Sequence, residues 1–144
     1  MSKTVLKVKL LRPGARLPSR STPGASGLDL CACLEVEIEL GSDTTLVPCG
    51  IALEVPPGFE AQLRPRSGLS KRGVNVILGT VDADYRGEIF VNMHTIGALA
   101  SYCIRDGDRI AQLVVARVEM LPAVEAEELT ESTRGDGGFG STGR

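Results

Sequence analysis

Residues 79–93 read GTVDADYRGEIFVNM. Ile89, Val91 and Met93 occupy every second position of its latter half, and so share one face of an extended chain. A period of two marks a half-buried strand, whereas a helix repeats its apolar residues about every 3.6 positions. Ahead of this run two acids and a tyrosine, Asp82, Asp84 and Tyr85, sit in a strand–turn–strand setting. The same period recurs elsewhere. In LKVKL (6–10) Leu6, Val8 and Leu10 alternate with lysines; in LEVEIEL (34–40) Leu34, Val36, Ile38 and Leu40 alternate with glutamates 35, 37 and 39, a solvated face; in FEAQLR (59–64) Phe59, Ala61 and Leu63 alternate with polar residues. RIAQLVVARVEM (109–120) is more continuously apolar, which predicts a strand covered on both faces. Turn signals separate these runs: PG at 13–14 and 23–24, GSD at 41–43, PPG at 56–58 and DGD at 106–108. SGLSKRG (67–73) has room for one helical turn at most. Many short strands joined by Gly/Pro turns predict an all-β sandwich or barrel.

The 144 residues suit one domain, large enough to bury a core without staples. Sixteen basic residues stand against 18 acidic ones, a net charge of −2. That balance excludes a general nucleic-acid or membrane-surface binder, so any phosphate chemistry must rest on a few local arginines. No apolar run approaches the ~18 residues of a membrane span, and the first residues lack the apolar core of a signal peptide. A soluble, cytoplasmic protein is expected. Cys31, Cys33, Cys49 and Cys103 form no CxxC pair, and with a single histidine there is no zinc spacing. The thiols read as small buried hydrophobes without disulfides, and His94 as structural. Composition breaks after about Leu129, dividing the chain into a β domain (1–129) and a Gly-rich arm (130–144).

Four internal stretches and the arm carry residues that strands or plain loops do not call for. In SGLDL (26–30) Gly27 and Asp29 interrupt an apolar run, and Asp29 reads either as a turn cap or as part of a site. RPRSGLSKRG (64–73) crowds Arg64, Arg66, Lys71 and Arg72 around a Ser-Gly turn. Successive backbone N–H groups beside arginines make an anion cradle; a solvated basic loop is the alternative. In GTVDADYRGEI a carboxylate could act as general base on a water, or both acids could simply satisfy turn donors. GDRIAQL (107–113) places Gln112, an amide, inside an apolar strand, where it must be hydrogen-bonded by structure or by a site. The arm RGDGGFGSTGR (134–144) has five glycines and one aromatic, and by itself reads as disordered. Its RGD is a chance tripeptide, and it lacks the Gly-Lys-Ser/Thr ending of a Walker loop.

Taken in order, SGLDL, PRSGL, GTVDADYRGEI, GDRIAQL and RGDGGFGSTG resemble the five motifs of the trimeric dUTPases across roughly residues 20–143. The resemblance implies a jelly-roll-like β-barrel or sandwich, a homotrimer with sites between subunits, and Mg²⁺-dependent hydrolysis of dUTP to dUMP and pyrophosphate by water attack on the α-phosphorus. Such an activity keeps uracil out of DNA and supplies dUMP for dTMP synthesis. By motif position, Asp82 matches the acid that orients the water and contacts the 3′-OH. Tyr85 matches the ring against the deoxyribose, and the backbone of Gly79, Thr80 and Val81 matches the uracil reader. Arg66, Ser67 and Gly68 match the phosphate loop; Asp29 matches the acid that supports Mg²⁺ through water; Gln112 matches the amide of the phosphate and water network. In the arm, Arg134 matches a phosphate contact, while Phe139 and Gly140 match the segment that covers the uracil. One departure stands out. Many members carry an Asn a few residues before the catalytic acid, but here Asn75 comes one position early and Val76 fills the counted slot. The base is then read mostly by backbone.

Two other readings compete. A dCTP deaminase, alone or bifunctional, shares the hairpin and trimer but is usually longer, and the arm fits the dUTPase branch better. A non-catalytic nucleotide- or partner-binding β module would be expected to have lost motif acids and arginines, which are all in place here.

Overall fold

The fold described here is a computed structural model and covers residues 3–143. The strands are β1 (Lys7–Leu10), β2 (Leu28–Cys31), β3 (Ile38–Leu40), β4 (Thr45–Glu54), β5 (Phe59–Arg64), β6 (Val74–Val76), β7 (Gly79–Val81), β8 (Glu88–Thr95), β9 (Tyr102–Ile104) and β10 (Arg109–Arg117), with one short helix, α1 (Ser67–Lys71). They pair antiparallel into a four-stranded sheet of order β1-β4-β8-β6, a second of order β2-β10-β5-β7, and a β3-β9 ribbon. This is the all-β class that the alternating pattern predicts, in the jelly-roll-like form that the resemblance implies.

The inward positions meet in one core. Ile51 and Leu53 of β4, Val91 and Met93 of β8, Ile110 and Leu113 of β10, and Leu40 and Ile104 of the ribbon are all buried. Each fully buried Leu or Ile contributes roughly 1.5–3 kcal/mol. Adjacent residues of β10, Ile110, Ala111, Leu113 and Val114, are buried, so this strand is covered on both faces as its continuous apolar run predicts. The outward positions of β8 are Glu88, Phe90, Asn92 and His94, and Leu46 and Pro48 lie on the same face of β4.

Three local expectations change. LEVEIEL is a strand only over Ile38–Leu40, and Val36 is exposed. The chain bends at 35–36 because the residues before it are tied to the β9–β10 turn: Asp106 Oδ1 accepts from Leu34 N at 2.9 Å, and Ala32 N donates to Asp108 O at 2.8 Å. Leu10, on edge strand β1, is about half exposed because that strand has a neighbour on one side only. Cys103 is exposed and donates to Glu37, whereas Cys33 and Cys49 are buried and all four thiols are free. Burial pushes the Cys49 thiol up to about 12, so it stays neutral.

A clamp holds the start of β8 to the N-terminal region. Arg12 donates through both terminal nitrogens to the Glu88 carboxylate, at 2.8 and 2.9 Å, across 76 residues of sequence. Glu88 Oε2 also accepts from Gly50 N at 3.3 Å, where the β4–β8 register is interrupted between Pro48 and Ala52. Gly50 has φ +68°, and a Cβ there would lie 2.9 Å from Cys33 Sγ, so only glycine fits this bulge. The Arg12 hydrogen bonds hold the Glu88 carboxyl below its ordinary range. A lowered carboxyl stabilises the fold above the unfolded value of ~4.3 and loses that contribution as pH falls through the folded value. Glu88→Gln is therefore expected to lose ~1–3 kcal/mol at neutral pH. Urea unfolding at fixed protein concentration should show the difference from wild type shrinking toward zero as the buffer is acidified below the carboxylate range.

Candidate active site

The second sheet assembles three of the sequence segments. Register places Asp29 of β2, Gln112 of β10 and Arg64 of β5 in one row. Asp29 thus lies within a strand and is not a turn cap. Gln112 Nε2 donates to Pro65 O at 2.9 Å, which satisfies the amide inside the strand. Gly27 is buried against it: a Cβ at this position would overlap Gln112 Oε1 and lie 2.9 Å from Gln112 Cβ. Arg66 follows β5 in extended conformation, its Nε 3.3 Å from Asp29 Oδ1 and its Nη1 donating to Arg109 O at 3.0 Å. Ser67 and Gly68 then open α1, and no side chain caps that end. The first N–H groups of a helix have no partner within it. Here they follow directly on Arg66, and N–H donors beside an arginine are the chemistry that suits an anion. Arg64 turns away to Gln62 Oε1.

The hairpin forms a separate pocket. Tyr85 N donates to Asp82 O at 3.1 Å, closing a turn between β7 and β8. The Tyr85 hydroxyl donates to Glu88 O at 2.9 Å, so the ring folds back over Gly87, where any Cβ would overlap the phenol oxygen. Arg86 Nη1 donates to Ala83 O and Tyr85 O. Gly79, Thr80, Val81, Asp82 and Tyr85 line a cavity of about 330 Å³ together with Leu46, Leu63, Glu88 and Phe90. That volume lies at the small end of ligand sites, ~300–1,000 Å³. Gly79 passes close to Leu63: a Cβ at this position would lie 3.4 Å from Leu63 Cδ1. The Asp82 carboxylate is exposed and forms no ion pair among the described residues.

The hairpin pocket and the cradle do not meet within the chain. Val81 pairs with Ala61, which sets Asp82 beside the Glu60 end of β5, while Arg66 lies beyond its Arg64 end. At ~3.3 Å per residue this separates Asp82 from Arg66 by roughly 20 Å. The arm also stays apart from both. Val118 N donates to Gly58 O at 3.0 Å, and residues 119–136 are exposed. Arg134 Nε donates to Gly137 O, and Gly135 N donates to Ser132 Oγ at 3.0 Å. Phe139 is fully exposed with φ +50°, and Gly140 follows at φ +88°.

Asn75 is half-buried on β6 and bonded to the His94 ring at 3.0 Å, and Val76 points into the core. Neither lines the hairpin pocket. Its apolar wall of Leu46, Leu63 and Phe90 has no motif of its own. The one sequence signal is a bulky ring, Phe90, at an outward position of β8.

A jelly-roll-like β domain with a turn-borne acid-and-tyrosine pocket, an arginine–amide cradle and a glycine-rich arm defines the class, and comparison with known proteins narrows it. A model of the dUTPase family matches residues 14–143. A deoxyuridine 5′-triphosphate nucleotidohydrolase of Hydrogenobaculum sp. is 50% identical over 141 residues, covering 96% of this chain and 97% of the relative. One from Chlamydia trachomatis is 51% identical over 138 residues, covering 92% and 94%. The solved structure of Staphylococcus bacteriophage 80alpha dUTPase with dUPNHPP superposes with a TM-score of 0.89 at 29% identity, covering 99% of this chain and 100% of that one. The chain belongs to the dUTPase family.

The close approach at Gly27 is open to a direct test. Gly27→Ala is expected to push the Gln112 amide off Pro65 while the thermal unfolding midpoint falls by only a few degrees. Steady-state turnover of dUTP should fall ~10–100-fold, the size expected when a positioning group moves by about an ångström.

Proposed function

We propose that this chain hydrolyses dUTP to dUMP and pyrophosphate as a homotrimer whose sites form between subunits. The observation that carries this reading is the separation of Asp82 and Tyr85 from Arg66 and Gln112 by the length of β5. A nucleoside triphosphate needs both sets of groups within a few ångströms, so the cradle of one copy must face the hairpin of another.

In such a site the backbone of Gly79, Thr80 and Val81 reads the uracil edge, and Tyr85, held by Glu88 O, stacks below the deoxyribose and leaves no room for a 2′-OH. Leu63 and Phe90 complete the apolar wall. Asp82 orients a water whose oxygen bonds to the α-phosphorus. The bond from that phosphorus to the bridging oxygen breaks, pyrophosphate leaves, and the Asp82 carboxylate accepts the proton of the water. Arg66, the amides of Ser67 and Gly68, and Gln112 offset the charge on the phosphates as it shifts. Arg134 adds a phosphate contact, and Phe139 with Gly140 closes over the base and excludes bulk water.

Mg²⁺ fits this donor set in one way. Among the described residues no cluster of three or more His, Cys, Asp or Glu side chains is placed to hold a metal. Asp29 is a single carboxylate already paired with Arg66. An ion that keeps most of its waters and rides on substrate phosphates needs no more than one such carboxylate, reached through water. When bound it supplies positive charge to the triphosphate. No helix among the described residues is long and apolar enough to cross a membrane.

Asp82→Asn is expected to lower pyrophosphate release by at least ~10³-fold, within the range for removing a general base, with trimer and dUTP binding retained. Full turnover in that variant removes Asp82 from the chemistry. Ending the chain after Thr133 should keep the oligomer and lose most turnover; unchanged turnover would remove the arm from the site. Incubation with dCTP should release no ammonia, and its release would reassign the chain to the deaminase branch.

A further inference from the structure

Three arginines from distant parts of the chain line one cavity of about 430 Å³. Arg66 follows β5, Arg72 ends α1 and Arg109 opens β10. The volume falls within the range of ligand sites, ~300–1,000 Å³. The charges around it are unevenly matched. Arg66 is paired with Asp29, but Arg72 and Arg109 form no ion pair among the described residues. Asp108 also lines the cavity, and its Oδ2 accepts from Arg105 N at 2.8 Å within its own turn. Among the described residues the lining thus holds three arginines and one acid, an excess of positive charge that a multivalent anion offsets.

The arginines are also held in place. The Arg72 guanidinium lies over the Tyr102 ring of β9, 5.2 Å from its centroid. Gly73, next in the chain, has φ +92° and accepts from Ile96 N at 2.8 Å, and a Cβ there would lie 2.9 Å from Ile96 O. That turn seats the end of α1. Arg66 is fixed by Arg109 O at 3.0 Å. A guanidinium already oriented gives up little freedom when an anion arrives.

The lining also selects the kind of anion. Ile104 and Ile110 are fully buried, and the half-buried Tyr102 ring lies under Arg72, which leaves a base no open face to stack on. A compact, highly charged anion without a ring fits such a site.

We propose that this cavity is a second anion site, for inorganic pyrophosphate, distinct from the Ser67 and Gly68 amides, which do not line it. Arg66 is common to both, so pyrophosphate released at the amides moves on without losing contact with positive charge. The proposal rests on the dUTP reading for the origin of the anion and adds where the leaving group goes; the binding itself needs no turnover.

Titration calorimetry on the full-length protein tests this. The protein is first saturated with a dUTP analogue whose α,β-bridging oxygen is replaced by NH, and inorganic pyrophosphate is then added. One pyrophosphate per chain should still bind. Arg72→Gln and Arg109→Gln should each weaken it at least tenfold; both positions are exposed, so circular dichroism should report an intact β fold. Lys9→Gln removes an equal charge from exposed β1, outside the cavity, and should change binding less than twofold. No pyrophosphate binding beside the analogue overturns the proposal, because the anion then has only the substrate's site. So does equal weakening by Lys9→Gln, or none by either arginine variant. If the analogue does not bind and dUTP is not hydrolysed, but pyrophosphate binds with the arginine dependence, the site stands and the dUTP reading fails. If dUTP is hydrolysed and pyrophosphate does not bind beside the analogue, the site fails and the dUTP reading stands.

Discussion

β5 keeps the Asp82 hairpin and the Arg66 loop apart. Its antiparallel neighbours fix the register: Leu63 opposite Gly79 and Ala61 opposite Val81 on one side, Leu63 opposite Leu113 on the other. Because Ala61 and Leu63 are buried in the core, the strand cannot slip by one residue without turning its apolar set outward. Asp82 and Arg66 are thereby held at opposite ends of a rigid element. The apolar-walled hairpin pocket and the unattached arm are both consistent with a chain whose chemistry is completed by another copy.

Around that spacer, close approaches do the positioning. Gly27 lets β2 lie against the Gln112 amide, and Gly87 lets the Tyr85 ring fold onto its own turn. Gly50 allows the β4 bulge to receive Glu88, which Arg12 grips from far along the chain. At the first two places the backbone φ is ordinary, and the demand for glycine is one of space; at Gly50 it is both space and a left-handed φ.

Much of this could be read from the sequence. Alternation located β5 and β8, and the unbroken apolar run located β10 with both faces covered. Alternation failed at Val36, because a period of two does not register a bend set by hydrogen bonds to residues about 70 positions away. The polar residues of the proposed site come from five short motifs in order along the chain. Their apolar surroundings do not: Leu46, Leu63 and Phe90 reach one pocket only through strand pairing, and the Arg12–Glu88 clamp joins segments with no shared pattern. Asn75 stands one position too early for a base reader by counting, and the strand turns it toward His94.

The Tyr85 hydroxyl, latched to the Glu88 carbonyl, has a consequence for how capture responds to heat. The hairpin is held by its own hydrogen bonds, so in the proposed site engaging the base and sugar surrenders little backbone freedom. The arm, with glycines at 135, 137, 138, 140 and 143, must surrender a great deal. In the proposed site, nucleotide retention therefore divides into a stiff contribution from the hairpin and a loose one from the arm. On the proposed reading, in which the arm closes over bound nucleotide, its grip weakens on warming before the β-sheets melt.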